Sequence, residues 1–137
     1  MNVAAEIEAP APVVWELLAD TSRWPEWGPC VRAAETPARL VAPGMRGRVR
    51  TTVGLWVPFE ITTVDVGRSW DWRVAGVAAT GHRVESLRPR RVRAIFVVPP
   101  WAAVYGLVCR LALHRLTGVA LREMAEPGAT GPASTRT

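Results

Sequence analysis

The apolar positions of this chain follow two periods. From Met45 to Val98 they alternate with polar ones: Arg46, Arg48 and Arg50 against Gly47, Val49 and Thr51; Asp71 and Arg73 against Trp70, Trp72 and Val74. Arg83 and Glu85 then alternate with His82 and Val84, and Arg91 and Arg93 with Val92, Ala94 and Phe96. A period of two gives a strand one wet and one dry face. On either side of this run the period lengthens. Val13, Val14, Leu17 and Leu18 share one helical face, with Glu16 and Asp20 away from it. The stretch from Trp101 to about Glu126 reads as one long helix opened by Pro100.

The punctuation between these segments sets their order. Asn2 to Glu8 reads as a first strand, which Pro10 and Pro12 stop before opening the first helix. Thr21 or Ser22 caps a second, short helical turn carrying Trp24 and Trp27, and Gly28-Pro29 ends it. Extended segments follow at Val31 to Glu35, Met45 to Val53, Trp56 to Val66, Trp70 to Val74, Thr80 to Leu87 and Arg91 to Val98. The loop Pro37 to Gly44 and the turns at Gly67-Arg68, Gly76 and Pro89-Arg90 separate them. Gly128 follows the last helix as a C-terminal stop. The predicted order is β-α-α-β-β-β-β-β-β-α, an α+β domain with an antiparallel meander over residues 1–127. The Gly/Ala/Pro/Ser/Thr tail, residues 128–137, is expected to be disordered.

Charge and composition narrow the partners. The formal charge is +5 and every basic side chain is Arg, but the arginines are spread over strands and turns rather than gathered on one face. A nucleic-acid partner is therefore not expected. Ile95 to Leu113 is apolar but is broken by Pro99-Pro100 and by Arg110, too short for a span of ~20 residues. Stable membrane insertion is not expected, and a peripheral membrane role stays open. Cys30 and Cys109 fit no metal spacing and no CxxC pattern, so they read as reduced thiols in a cytoplasmic protein without a signal peptide. There is no GxSxG, P-loop, GxGxxG, HExxH or Cys/His cluster, so no cofactor or metal is expected.

The candidate chemistry is sparse. Seven tryptophans offer large apolar surfaces, each with one N–H donor. The dry faces nominate a hydrophobic wall of Trp24, Trp27, Val49, Phe59, Ile61, Trp72, Val84, Phe96 and part of the last helix, with Trp101 at its start. His82 lies in phase with Val84, which puts an imidazole on the dry side, either bonded to backbone or free to move a proton. Tyr105 offers a phenol that either donates to a ligand carbonyl or only buries its ring. Arg110, His114, Thr117 and Gly118 form a polar stripe on the last helix. That stripe is either the solvent side of the helix or a polar seam in which Arg110 meets an acidic or enolate group. Glu60 and Asp71 fall on wet faces, where cross-strand pairs with Arg48, Arg50 or Arg73 account for them.

The opening carries a family likeness. Glu6-Ile7-Glu8-Ala9-Pro10-Ala11-Pro12-Val13-Val14-Trp15-Glu16-Leu17-Leu18-Ala19-Asp20, then Ser22-Arg23-Trp24-Pro25-Glu26-Trp27-Gly28-Pro29, resembles the start of the START/Bet v 1-like (SRPBCC) superfamily, in its polyketide cyclase/dehydrase and lipid-transport group. The Gly67-to-Trp72 turn and strand and the Gly81-His82 strand continue the likeness. The turn Leu87-Arg88-Pro89-Arg90-Arg91 departs from it, lacking the glycine-rich hairpin that relatives often carry there. The resemblance implies a helix-grip fold, a curved antiparallel sheet around a long C-terminal helix, enclosing a hydrophobic cavity. It further implies a cofactor-independent cyclase or dehydratase that binds a hydrophobic, oxygenated small molecule, with His82 and Tyr105 or Arg110 moving a proton. Trp24, Trp27, Phe59, Ile61, Trp72, Val84, Phe96, Trp101 and His114 would then contact the ligand. The same cavity suits a non-catalytic carrier or sensor of a lipid, isoprenoid or other hydrophobic metabolite. A partner controlled by the ligand, or a homodimer, would meet the arginine face of the meander or the stripe of Arg110, His114 and Arg115.

Overall fold

The computed structural model describes residues 2–125, apart from the side chains of residues 103–105. Seven strands form one antiparallel sheet: β1 (Asn2–Ile7), β2 (Val31–Glu35), β3 (Arg46–Thr51), β4 (Trp56–Asp65), β5 (Ser69–Val74), β6 (Val77–Arg88) and β7 (Arg91–Val97). Their spatial order is β1-β7-β6-β5-β4-β3-β2. Strands β2 to β7 are a plain meander, and β1 joins the far edge against β7, with Asn2 opposite Val97 and Ile7 opposite Val92. Helices α1 (Ala11–Ala19) and α2 (Trp24–Trp27) carry the chain from one edge to the other. Helix α3 (Gly106–Ala125) packs on β1, α1 and α2. Register shifts at Ile61/Thr63 and Asp71/Arg73 bend the central strands. The result is the α+β antiparallel meander that the alternation of apolar and polar residues predicts, in the helix-grip arrangement that the family resemblance implies.

One glycine sets how closely three neighbouring strands approach. A Cβ at Gly47 would sit 2.5 Å from the Glu35 carbonyl oxygen and 2.9 Å from the Phe59 ring, so only glycine lets β2, β3 and β4 pass this closely. The β5–β6 turn has positive φ at both Ala75 (52°) and Gly76 (80°), the handedness that a two-residue hairpin requires. The wet face is laced with ion pairs. Arg48 meets Glu35 at 2.7 Å, and Arg91 reaches both Glu6 and Glu8 from β7 to β1. Asp71 pairs with Arg83 at 3.0 Å and accepts from Thr63 at 2.6 Å, so its cross-strand partner is Arg83.

The helix ends show the most complete hydrogen-bond accounting. The last four carbonyls of a helix lack partners within it. In α1 these belong to Glu16, Leu17, Leu18 and Ala19. The Asp20 N–H donates to Glu16, and the Val41 N–H to Ala19. The indole N–H of Trp27 donates to the Leu17 carbonyl and that of Trp24 to the Leu18 carbonyl, each at 2.8 Å. Two of the tryptophans therefore cap a helix.

Two expectations are corrected here. The cap of the turn after α1 is Asp20, not Thr21 or Ser22. Its carboxylate accepts from the Ser22 N–H at 2.9 Å and pairs with Arg39, while Thr21 turns its hydroxyl to the Arg39 carbonyl at 2.8 Å. Burial pushes the Asp20 pKa up, but Ser22 and Arg39 outweigh it and hold the carboxyl below its usual range. The C-terminal segment is also not one helix from Trp101. A 3₁₀ segment, Pro100–Tyr105, precedes α3, and Ala102 inside it leaves helical geometry (φ −110°, ψ 30°). The expected end near Glu126 and the tail lie outside the described residues.

Candidate functional site

The strand period puts Thr80 and His82 on the dry face of β6, beside Trp70 and Trp72 of β5 and Phe96 of β7. His82 is 2% exposed and held on several sides by rings. Its imidazole stacks on Trp70, 3.9 Å between centroids, and takes the edge of Phe96 at 5.0 Å. Trp27 and Trp72 both lie 6.1 Å away. The ring is oriented by two polar contacts. Nδ1 faces the Trp70 carbonyl at 3.3 Å, and a carbonyl only accepts, so Nδ1 carries the proton. Nε2 is then the acceptor for the Thr80 hydroxyl at 3.4 Å. Burial pushes the His82 pKa down to about 3, against the opposing pull of the Trp70 carbonyl and Asp71. The imidazole is neutral at physiological pH.

Two neighbouring chambers lie between the sheet and the C-terminal segment. The inner one is about 90 Å³, and its wall includes Trp24, Trp27, Trp70, Trp72, His82 and Phe96, closed on the α3 side by Val108, Cys109 and Ala112. The outer one is about 430 Å³, within the usual range for small-molecule sites. Val49, Val57, Val74, Val77, Trp101 and Ala102 are among its walls. Cys30, Val31, Trp72 and Thr80 border both chambers. Small side chains on the inner face of α3, at Cys109 and Ala112, leave the space that the inner chamber occupies. Burial pushes the Cys109 thiol pKa up, and both cysteines are free.

The tryptophan donors divide into two kinds. Those of Trp24 and Trp27 are spent on α1. Those of Trp70 and Trp72 are buried without a partner among the described residues. A buried unpaired donor costs ~1–3 kcal/mol, and these two nitrogens have almost no accessible surface, so they lie behind the wall rather than facing the chambers.

The nominated residues fall into four groups. His82, Trp24, Trp27, Trp72 and Phe96 border the inner chamber, and Trp101 borders the outer one. Phe59, Ile61 and Val84 are packed in the core, and none is among the residues lining either chamber. Arg110 and His114 are corrected: both are exposed and line neither chamber. The helical period explains why, since Cys109, Ala112, Leu113 and Leu116 take the face toward the sheet and leave Arg110 and His114 on the other. The side chain of Tyr105 lies outside the described residues. Sequence reasoning missed Thr80, Val31 and the two cysteines. Thr80 was accessible to it, standing two residues before His82 on the same strand face.

A buried wall of aromatic rings with few polar groups defines a cavity-forming domain of the helix-grip type. The chain belongs to the family described as polyketide cyclase / dehydrase and lipid transport, whose sequence profile matches residues 1–129. Its fold is similar to that of the Zhui aromatase/cyclase from Streptomyces sp. R1128, at 19% identity and a TM-score of 0.71, over 93% of this chain and 96% of that one. The di-domain aromatase/cyclase StfQ of the steffimycin biosynthetic pathway matches at 16% identity and a TM-score of 0.71, over 93% of this chain and 46% of its own. Protein MLL2253 from Mesorhizobium loti matches at 13% identity and a TM-score of 0.66, over 89% and 98%. No curated protein matches in sequence. Among the described residues no group of three or more His, Cys, Asp or Glu side chains is placed to hold a metal, and no helix is long and apolar enough to cross a membrane.

Proposed function

We propose that this protein binds a hydrophobic, oxygenated small molecule in the two-chambered cavity and promotes its cyclisation or dehydration. The observation that carries the reading is an apolar, aromatic-walled cavity on which Thr80 and His82 are among the few polar side chains. Aromatase/cyclase proteins of the same fold support the reaction class.

Positioning would do most of the chemical work. Holding a flexible chain in a reactive shape can lower a barrier by ~7–11 kcal/mol in favourable cases. His82, with a pKa of about 3, is a weak base for a proton on carbon. Its role in this reading is to hold Thr80 and accept a hydrogen bond at Nε2, with proton transfer as the smaller contribution. The protein works in the cytoplasm, where Cys30 and Cys109 stay thiols.

The low basicity of His82 also favours a second reading, a carrier that holds a hydrophobic metabolite unchanged. Native mass spectrometry of protein purified gently from its source cells, followed by solvent extraction, separates the two. A stoichiometric cyclised, oxygenated adduct is expected. An intact acyl lipid as the only adduct would transfer the protein to the carrier class. His82→Asn then checks the chemistry: turnover falls while binding persists if the reading holds.

A further inference from the structure

The two ends of the meander differ in chemistry. The turn between β3 and β4 exposes Val53 (77%) and Leu55 (65%), and the residues flanking it, Thr51 and Val57, line the outer chamber. Val77, just after the β5–β6 turn, and Trp101, 66% exposed, line the same chamber while reaching the surface. In a meander these alternate turns fall at one end, together with the end of β7. Apolar side chains on separate turns thus ring the place where the cavity meets solvent.

The charges around that ring have one sign. Residues 28–34, 46–57, 74–80 and 97–111 contain no Asp or Glu. They do contain Arg32, Arg50 and Arg110, all exposed, and none makes an ion pair among the described residues. Arg50 reaches toward the β3–β4 turn, its guanidinium 3.7 Å from the position a Gly54 Cβ would take. Arg110 stands between exposed Leu107 and Leu111 on α3. The opposite end mixes signs, with Glu8 and Asp65 among its arginines.

We propose that this end docks on an anionic lipid surface. Val53, Leu55 and Trp101 enter the boundary between headgroups and acyl chains, and Arg32, Arg50 and Arg110 lie against lipid phosphates. The outer chamber then opens onto the bilayer, so that an apolar ligand passes between membrane and cavity without crossing water. Apolar tips in a basic surround are the combination that anionic interfaces select. An acidic protein surface would pair with the arginines but would give no use to single aliphatic tips spread over separate turns.

The test is co-sedimentation of the full chain with vesicles of phosphatidylcholine alone and of mixed phosphatidylcholine and phosphatidylglycerol. Binding to the mixed vesicles is expected, weakening as salt shortens the screening length. The variant V53S/L55S should lower partition roughly tenfold. R50Q should lower it about fivefold on mixed vesicles only. Both sites are exposed, and an unchanged thermal melt will show that the variants fold. Equal partition on the two vesicle types, or full binding by V53S/L55S, would overturn the proposal. So would retention of an acidic protein by the chain with no vesicle binding, which would assign the surface to a protein partner. No ligand enters the assay, so failure here leaves the proposed function standing.

Discussion

Trp24 and Trp70 stack at 5.3 Å with their planes 12° apart, and both are almost fully buried. Their rings do the same work, yet their N–H groups differ. On the α1 side, Trp24 and Trp27 each spend the donor on a helix carbonyl. On the sheet side, the donors of Trp70 and Trp72 are buried without a partner among the described residues. A buried tryptophan is thus two things: an apolar volume, fixed by packing, and a donor, whose role depends on where a carbonyl happens to lie. A donor that finds a carbonyl stabilises the fold, and a buried one without a partner costs stability.

The comparison breaks or sharpens under four measurements. The largest effect belongs to His82, which is bound to the sheet-side pair. Its folded pKa of about 3 lies below the ordinary value near 6.5, so the unfolded chain binds the extra proton between them. Stability is full above about pH 6.5 and falls toward pH 3, by up to ~1.4 kcal/mol per pH unit. Denaturant melts between pH 7 and 4 should show this slope, and His82→Asn should flatten it. Next, Trp24→Phe leaves the buried Leu18 carbonyl unpaired and should cost ~2–4 kcal/mol. Trp72→Phe removes a donor that has no partner and should cost less than ~1.5 kcal/mol. Equal losses in urea melts would erase the distinction between the pairs.

Ligand affinity gives the third contrast. Trp72→Phe should weaken an oxygenated polycyclic probe and its hydrocarbon analogue alike, by about 2–5-fold, since the ring lines both chambers while its N–H is buried, measured by fluorescence titration. A loss confined to the oxygenated probe would mean that the Trp72 N–H turns to the ligand. The smallest effect is expected at the exposed face of α3. Arg110→Gln and His114→Gln should each change stability by less than ~0.5 kcal/mol and leave probe affinity in the cavity intact.

Much of the fold was legible because the alternation is strict where one face is dry. The extended segments from Val31 to Val98 lie within a few residues of the strands, and Gly67 turns where it should. His82 was legible for the same reason. Three things were not. The fates of four identical indole donors depend on carbonyls brought close by folding, which residue type does not encode. The break at Ala102 has no local breaker beyond Pro99-Pro100, so helix propensity ran through it. The stripe at Arg110 and His114 was visible, but whether it faces in or out is decided by which side of α3 the sheet takes. The smaller and apolar positions, Cys109, Ala112, Leu113 and Leu116, settle it.

The pairing of β1 with β7 has a consequence in time. Asn2 lies opposite Val97, so the first strand synthesised is completed only when the last strand exists. The meander from β2 to β7 closes by short, local turns, which form quickly, whereas β1 must close nearly the whole chain. Until then both β1 and its future partner present open edges. Glu6 of β1 and the arginines of β7 that later clamp it keep those waiting edges charged, which is how a nascent sheet avoids pairing with its neighbours.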